Sequence, residues 1–126
     1  MDRLADAINK IKTNERIGRR ECTLYSTKLV KAVLEVLQKY GYIAAYEEHE
    51  EGKFKSIKVT LSNKINDIGV IKPRYAVTYD LMQKYETRYI PSRDFGALII
   101  STPQGMMTNR EAGERHIGGR LVAYVY

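Results

Sequence analysis

The residues best suited to hold a ligand lie in the segment STPQGMMTNREAG, at positions 101–113, directly after an apolar run at 95–100. Ser101 and Thr102 bring hydroxyls and Gln104 brings an amide, while Gly105 lets the backbone come close to a partner. Such groups bond phosphate, sugar and base edges. The segment therefore predicts a binding loop at Ser101, Thr102, Gln104 and Gly105, with a merely polar connector as the alternative.

Helix capping explains another part of the same segment. Thr108-Asn109-Arg110-Glu111 fits a capping box, in which Thr108 accepts from the backbone N–H of Glu111 and Glu111 reaches back to Thr108. A short helix is predicted from Thr108 to about His116. The capping box does not account for the hydroxyls and the amide that precede it, so these stay the candidates for binding.

The sequence carries no catalytic motif. Ser101 is not in a Gly-x-Ser-x-Gly elbow, and neither a Walker lysine motif nor a dinucleotide glycine fingerprint is present. One cysteine, Cys22, and two distant histidines, His49 and His116, make a weak metal-ligand set. The prediction is a protein that is not an enzyme and uses no cofactor and no metal. A hydrolase that uses Ser101 is the alternative, and a serine-directed phosphonate probe tests it.

The charge of the chain narrows the class of partner. The net charge is +6 at pH 7, and such an excess favours nucleic acid first and an anionic membrane surface second. No apolar stretch approaches the roughly 18 residues that a membrane-spanning helix needs, and a single cysteine fits a reducing compartment. We therefore expect a cytoplasmic protein with no membrane partner and no small-molecule substrate.

The charges are unevenly distributed along the sequence. A basic stretch between positions 10 and 20 is either a solvated helix end, where cations suit the helix dipole, or a patch that contacts phosphate. Its cations are Lys10, Lys12, Arg16, Arg19 and Arg20. Four acids are predicted to crowd one loop and to face solvent or a neighbouring basic protein: Glu47, Glu48, Glu50 and Glu51.

Hydrophobic periodicity predicts an α-β-α-β-β order for the first half of the chain. Leu4, Ile8 and Ile11 recur at helical spacing, and Gly41 is the expected stop of the second helix. The polar stretch 47–53 is the predicted loop of an antiparallel hairpin. The predicted elements are a helix at 2–13, a strand at 20–25, a helix capped by Ser26 or Thr27, and strands at 42–46 and 54–61.

The second half is predicted to be rich in strands, with one short helix. The tyrosine-rich stretch 75–94 stays unassigned, although Leu81, Met82 and Tyr85 fall at helical spacing. Most of the ten tyrosines are expected in the core or half-buried, with one or two at most touching a ligand. The predicted strands are 68–71, stopped by Pro73, then 97–100, and 121–126 after Gly118-Gly119. The predicted fold class is α+β in two small lobes, an N-terminal α/β lobe at 1–63 and a C-terminal β-rich lobe at 64–126.

The segment 101–126 closely resembles the C-terminal signature of the small-subunit ribosomal protein eight family. The family's pattern is Ser-Thr-x-x-Gly-x-Met-Thr-x-x-Glu-Ala, then Gly-Gly and a strand ending in Tyr-Val-aromatic. The matching positions are Ser101, Thr102, Gly105, Met107, Thr108, Glu111, Ala112, Gly118, Gly119 and Tyr124-Val125-Tyr126. Leu4 to Ile11 and Gly41-Tyr42-Ile43 resemble the family's first helix and the end of its second, so the resemblance spans the chain.

The resemblance implies a two-domain ribosomal protein that is a primary binder of small-subunit ribosomal RNA. Such proteins recognise an irregular stem in the central domain of that RNA through the Ser-Thr loop, which implies that the C-terminal lobe at 64–126 is the RNA-binding lobe. They aid assembly and have neighbouring small-subunit proteins as partners. The alternative is a protein-binding or anionic-surface-binding module of the same fold. Candidate phosphate contacts are Lys55, Lys58, Lys72, Arg74, Arg110 and Arg120, and a second RNA segment is expected at Lys12, Asn14 and Arg16.

Two positions depart from the bacterial pattern of the family. Bacterial members have a serine after Ser-Thr, where this chain has Pro103, and a glutamate after Gly-Gly, where it has Arg120. Pro103 removes a backbone donor and a hydroxyl, and Arg120 reverses a charge near the predicted binding loop. Together with the stretch 75–94, these departures resemble the archaeal branch of the family.

Overall fold

The computed structural model describes residues 3–92 and 95–126 of the chain. Arg93 and Asp94, at the end of the unassigned stretch, lie outside the described residues. The chain forms two compact units, unit 1 over Met1–Ile65 and unit 2 over Asn66–Tyr126. Helices and antiparallel sheets are present in both, which confirms the predicted α+β class. No helix in the described part of the chain is long and apolar enough to cross a membrane.

Unit 1 has the predicted α-β-α-β-β order and one three-stranded antiparallel sheet in the order β1-β3-β2. Helix α1 contacts β1 and helix α2 contacts β2, with Leu4, Ile8 and Ile11 buried as their spacing predicts. The elements are α1 Arg3–Arg16, β1 Glu21–Tyr25, α2 Lys28–Lys39, β2 Ile43–Glu51 and β3 Phe54–Leu61.

The ends of helix α2 follow from its sequence. The Thr27 hydroxyl accepts a hydrogen bond from the backbone N–H of Val30 at 3.1 Å, so Thr27 is the cap. The Ser26 hydroxyl donates instead to the carboxylate of Glu48 in strand β2. Beyond the other end, Gly41 has a φ of +80°, a conformation that glycine adopts without steric cost.

The predicted acidic loop is wrong, because strand β2 continues through Glu51 and the turn contains only Gly52 and Lys53. Acidic residues are poor strand formers, but strand β3 places lysines beside them. Glu50 forms an ion pair with Lys55, its partner in the strand register. Opposite charges across a strand pair favour the ladder, which explains why this acidic segment is extended.

Unit 2 is built on an antiparallel sheet in the order β4-β8-β6-β7, with β5 also paired to β8. Its core contains Leu98, Ile100 and Leu121 from the central strands, together with Met107 and Ala112. The elements are β4 Ile68–Val70, β5 Ala76–Val77, a 3-10 turn Tyr79–Leu81, α3 Met82–Tyr89, β6 Ala97–Thr102, β7 Gly105–Thr108, α4 Asn109–Glu114 and β8 Gly119–Val125.

The structure assigns most of the stretch that the sequence left open. Strand β5, the 3-10 turn and helix α3 lie within it, and Met82 and Tyr85 belong to α3 as their spacing suggested. Five tyrosines pack against the core of unit 2, which agrees with their predicted role: Tyr75, Tyr85, Tyr89, Tyr124 and Tyr126.

Candidate functional site

The predicted binding loop is a β-hairpin. Ser101 and Thr102 are the last residues of strand β6, Pro103 and Gln104 form the turn, and Gly105 begins strand β7. The prediction that this segment is a loop between a strand ending at 100 and a helix is therefore wrong, because strand β6 continues to Thr102 and strand β7 follows the turn. Strand β7 ends at the helix cap, where the Thr108 hydroxyl accepts from the backbone N–H of Glu111 at 3.3 Å. The candidate residues thus sit on a paired and fixed backbone.

The hydroxyl of Thr102 is used to hold the turn. It donates to the carbonyl oxygen of Gly105 at 2.7 Å and accepts from the backbone N–H of Gln104 at 3.1 Å. Pro103 suits the first central position of such a turn because its ring fixes φ near −65°, and Gly105 has a φ of +117°. Thr102 and Gly105 therefore shape the hairpin, and Pro103 fits it.

The side chain of Gln104 is also engaged within the protein. Its Oε1 accepts from the guanidinium of Arg115 at 2.9 Å, just after helix α4. Both side chains are exposed. Arg115 was not among the predicted site residues, because nothing in the local sequence pairs it with a residue eleven positions earlier. The bond places an arginine at the tip of the hairpin.

Ser101 differs from its neighbours in this hairpin. Its side chain is exposed, and its hydroxyl makes no hydrogen bond with any residue in the ranges 3–92 and 95–126. In the strand register it lies opposite Met106 of β7 and Arg120 of β8. Its hydroxyl is therefore available to a ligand that approaches the end of strand β6.

An open groove of about 570 Å³ borders this serine. Gly118 and Gly119 line it where strand β8 begins. A Cβ atom on Gly118 would collide with the carbonyl oxygen of Val77, and one on Gly119 with the carbonyl oxygen of Ser101. The two glycines thus allow β8 to pass close to its neighbours. The other lining residues are Ala76, Val77, Thr78, Tyr79, Ser101, Thr102, Pro103, His116 and Arg120.

Two rings also line the groove, from Tyr79 and His116. Their centroids are 4.6 Å apart with the ring planes tilted by 60°, and the tyrosine is 42% exposed. Exposed rings can stack on nucleobases. Sequence reasoning did not select Tyr79, because it falls in the unassigned stretch, and it treated His116 only as a weak metal ligand. Only the folding of the 3-10 turn against the end of α4 brings the rings together.

The predicted cations of unit 2 are all exposed. Arg120 lines the groove itself. Lys72 and Arg74 flank Pro73 between strands β4 and β5, and Arg110 is in the first turn of helix α4.

The predicted cations of unit 1 fall into two sets. Lys55 and Lys58 are on strand β3 and form ion pairs with Glu50 at 3.3 Å and Glu21 at 3.2 Å. Lys12, Asn14 and Arg16 are in the second half of helix α1, where the Asn14 amide donates to the carbonyl oxygen of Lys10 at 2.8 Å.

The described part of the chain contains no group of three or more histidine, cysteine or acidic side chains that could hold a metal ion. Cys22 is buried on strand β1, and burial raises the pKa of its thiol to about 11. The groove of unit 2 combines a free hydroxyl, two rings and an arginine. Such a surface can hydrogen-bond, stack and neutralise charge.

Two comparisons with known proteins match this chain to one protein family over nearly its whole length. A family model described as ribosomal protein S8 matches residues 2–126. The chain is also 47% identical over 126 residues to the small ribosomal subunit protein uS8 of Thermoplasma volcanium, an alignment that covers 99% of this chain and 98% of that protein.

Proposed function

We propose, from the premise that this chain belongs to the ribosomal protein S8 family, that it binds small-subunit ribosomal RNA directly. As a member of that family it is a structural constituent of the ribosome and a cytoplasmic component of translation. The finer proposal is that it is a non-catalytic, primary RNA-binding protein. It would recognise an irregular stem in the central domain of the RNA and aid assembly of the small subunit beside neighbouring ribosomal proteins.

One observation supports the proposal above the others, namely the free hydroxyl of Ser101 beside an open groove with glycines along it. A regular A-form helix hides its base edges in a deep and narrow major groove. A short hairpin therefore gains specificity only where a stem is distorted and its bases are accessible. Gly118 and Gly119 pack closely against the carbonyl oxygens of Val77 and Ser101 and form part of the groove wall. The groove volume of about 570 Å³ can accommodate a base or sugar beside Ser101.

The other polar groups of the hairpin act on RNA in different ways under this proposal. Thr102 holds the turn that presents Ser101, and Gly105 keeps the tip free of a side chain. Gln104 orients Arg115 toward a phosphate beside the hairpin. Tyr79 and His116 offer a ring face to an unstacked base.

The cations of unit 2 supply the electrostatic part of the binding. Arg120 is on the groove, and Lys72, Arg74 and Arg110 are exposed on the same unit. Each phosphate that such a side chain neutralises releases counterions, so affinity falls as salt rises. The candidate contacts of unit 1 contribute less where a glutamate already pairs with the lysine, as it does for Lys55 and Lys58.

A titration with two RNAs tests the proposal. The specific RNA is the irregular central-domain stem of the organism's own small-subunit RNA, and the control RNA is a fully paired stem of equal length. Wild-type protein should prefer the irregular stem. Ser101→Ala should weaken that binding by about 1–1.5 kcal/mol, close to tenfold, because one hydrogen bond is lost. Thr87→Ala, which removes an exposed hydroxyl from helix α3, is the matched control and should bind as wild type.

Two results would contradict parts of the proposal. Equal affinity of wild type and Ser101→Ala for the irregular stem would show that the hairpin is not part of the binding site. Equal affinity of wild type for both RNAs would indicate a general anionic-surface module, which is the competing class. Co-sedimentation with small subunits in high salt gives an independent check, because a module without specific RNA recognition is released there.

A further inference from the structure

A second groove lies in unit 1, between helix α1 and strand β1, with a volume of about 500 Å³. One face of the helix lines it, since residues three, four and seven positions apart share a face. Ala7 is buried there and its short side chain leaves space. The lining residues on the helix are Arg3, Asp6, Ala7, Asn9, Lys10, Thr13 and Asn14, and Leu24 and Tyr25 line it from the strand.

One end of this groove carries a stacked pair of side chains. The guanidinium of Arg3 lies 4.0 Å from the ring centroid of Tyr25, and the tyrosine is 44% exposed. Aromatic rings and guanidinium planes are the two side-chain groups on which unpaired nucleobases stack. The pair is therefore a platform whose chemistry suits a base.

The rest of the groove suits a sugar and a phosphate. Lys10 and Arg3 place two cations along it against one acid, Asp6. The Lys10 ammonium donates to the carbonyl oxygen of Thr23 at 2.9 Å, which holds it across the groove toward strand β1. Asn9 is exposed and its amide makes no hydrogen bond to any described residue. An amide can donate and accept, which fits a base edge or a 2′-hydroxyl.

We propose that this groove binds an unpaired nucleotide of an RNA segment distinct from the one held by the hairpin of unit 2. The inference rests on the proposed function, because it takes ribosomal RNA as the source of the nucleotide. The base stacks on the platform of Arg3 and Tyr25, Lys10 pairs with the adjoining phosphate, and Asn9 bonds the base edge or the sugar.

A nucleotide-resolution footprint of the full chain on its own small-subunit ribosomal RNA tests this proposal. Wild type should protect the irregular stem and, separately, a short unpaired stretch. Tyr25→Ala should weaken protection of the unpaired stretch by at least about fivefold, because a stacking contact is lost. It should leave protection of the stem unchanged. Ser101→Ala should show the reverse pattern.

A second variant removes any doubt about folding. Asn9→Asp places a negative charge in the groove at an exposed residue that makes no hydrogen bond to the described residues, so the fold is retained. Asn9→Asp should weaken protection of the same unpaired stretch. Lys53→Gln changes the net charge by the same amount at the exposed turn between β2 and β3, and should leave both protections unchanged.

The outcomes separate this inference from the proposed function. The inference is supported if Tyr25→Ala and Asn9→Asp both lose protection of the unpaired stretch and keep protection of the stem. The inference would be overturned if both variants protect the unpaired stretch as well as wild type does, or if Lys53→Gln loses as much of that protection as they do. It would also be overturned if the stretch whose protection is lost proves to be base-paired. None of these results would contradict the hairpin site. Absence of stem protection by the wild type would instead contradict the proposed function.

Discussion

The carbonyl oxygen of Ser101 occupies the space that a Cβ atom on Gly119 would need. Strands β6 and β8 therefore approach more closely at this point than any residue with a side chain allows. Ser101 also lines the groove, and its side chain is exposed. Gly119 thus fixes the position of the candidate binding residue relative to the start of strand β8.

Gly119→Ala should destabilise the protein by about 1–3 kcal/mol, since the added methyl forces the two strands apart. Gly113→Ala is the matched control. That glycine is inside helix α4, and an added Cβ atom there would meet no other atom within 4 Å. Alanine at this position should leave stability unchanged or raise it by up to about 1 kcal/mol. Urea unfolding followed by circular dichroism measures both. Equal stability of the two variants would mean that the close approach is not required.

Removal of the hydroxyl should affect stability differently at Thr102 and at Ser101, although the two residues are adjacent. Thr102→Val removes the two hydrogen bonds that hold the turn and should cost about 1 kcal/mol of unfolding free energy. Thr102→Ser should restore most of it. Ser101→Ala should stay within about 0.5 kcal/mol of wild type, because an exposed side chain without a described hydrogen bond is removed. A larger cost for Ser101→Ala would show that its hydroxyl has a structural partner.

Residue types alone identified the hairpin residues, but not the hairpin. Hydroxyl, amide and glycine chemistry selected Ser101 to Gly105, whereas strand β7 escaped because its pairing with β6, Met107 opposite Ile100, is a tertiary relationship. The four residues of β7, Gly-Met-Met-Thr, do not alternate between polar and apolar side chains, so the period of a strand is absent. The glutamates of β2 were placed in a loop for a similar reason, since their lysine partners lie on other elements: Lys55, which pairs with Glu50, is on strand β3, and Lys31, which pairs with Glu48, is on helix α2.

The groove of unit 2 could not be predicted from the sequence, because residues from distant segments form it. Tyr79 and His116 are 37 positions apart, and no periodicity or spacing rule relates them. Helices α1 and α2, in contrast, followed directly from apolar spacing and from Thr27, because those signals act within a few residues. Local order could be predicted, and the contacts between distant segments could not.

Glu15 holds the segment that follows strand β3. Its side chain is 8% exposed, and its carboxylate accepts from the backbone N–H groups of Asn63 at 3.0 Å and Ile65 at 2.9 Å. A negative charge near the end of helix α1 opposes the helix dipole, so these hydrogen bonds explain its presence.

Glu15→Ala should therefore lower the free energy of unfolding by about 2–3 kcal/mol, because two partly buried hydrogen bonds to a charged group are lost. Glu35→Ala, at an exposed position of helix α2, should cost less than about 0.5 kcal/mol. Amide exchange at Asn63 and Ile65 gives a local readout, and it should accelerate in Glu15→Ala alone. Unchanged exchange at both amides would contradict the role of the carboxylate.

The buried thiol of Cys22 predicts how stability depends on alkaline pH. Burial is the largest cause that raises its pKa from 9.0 to about 11, opposed by the charge of Lys10 and reinforced by that of Glu15. The unfolded chain releases this proton near pH 9, whereas the folded chain keeps it until about pH 11. Ionisation therefore favours the unfolded state between these values, and the contribution of Cys22 to stability is constant below pH 9 and falls as pH rises toward 11.

Wild type and Cys22→Ala share every other ionisable group, so the measurement compares the two proteins at each pH. The background titrations cancel in the difference between the two unfolding free energies. At pH 7 to 8.5 wild type should be more stable by a constant amount, because alanine leaves a cavity. Above pH 9 that advantage should shrink. A difference that stays constant up to pH 11 would mean that Cys22 ionises at the same pH in both states and is not shielded by strand β1 and its neighbours.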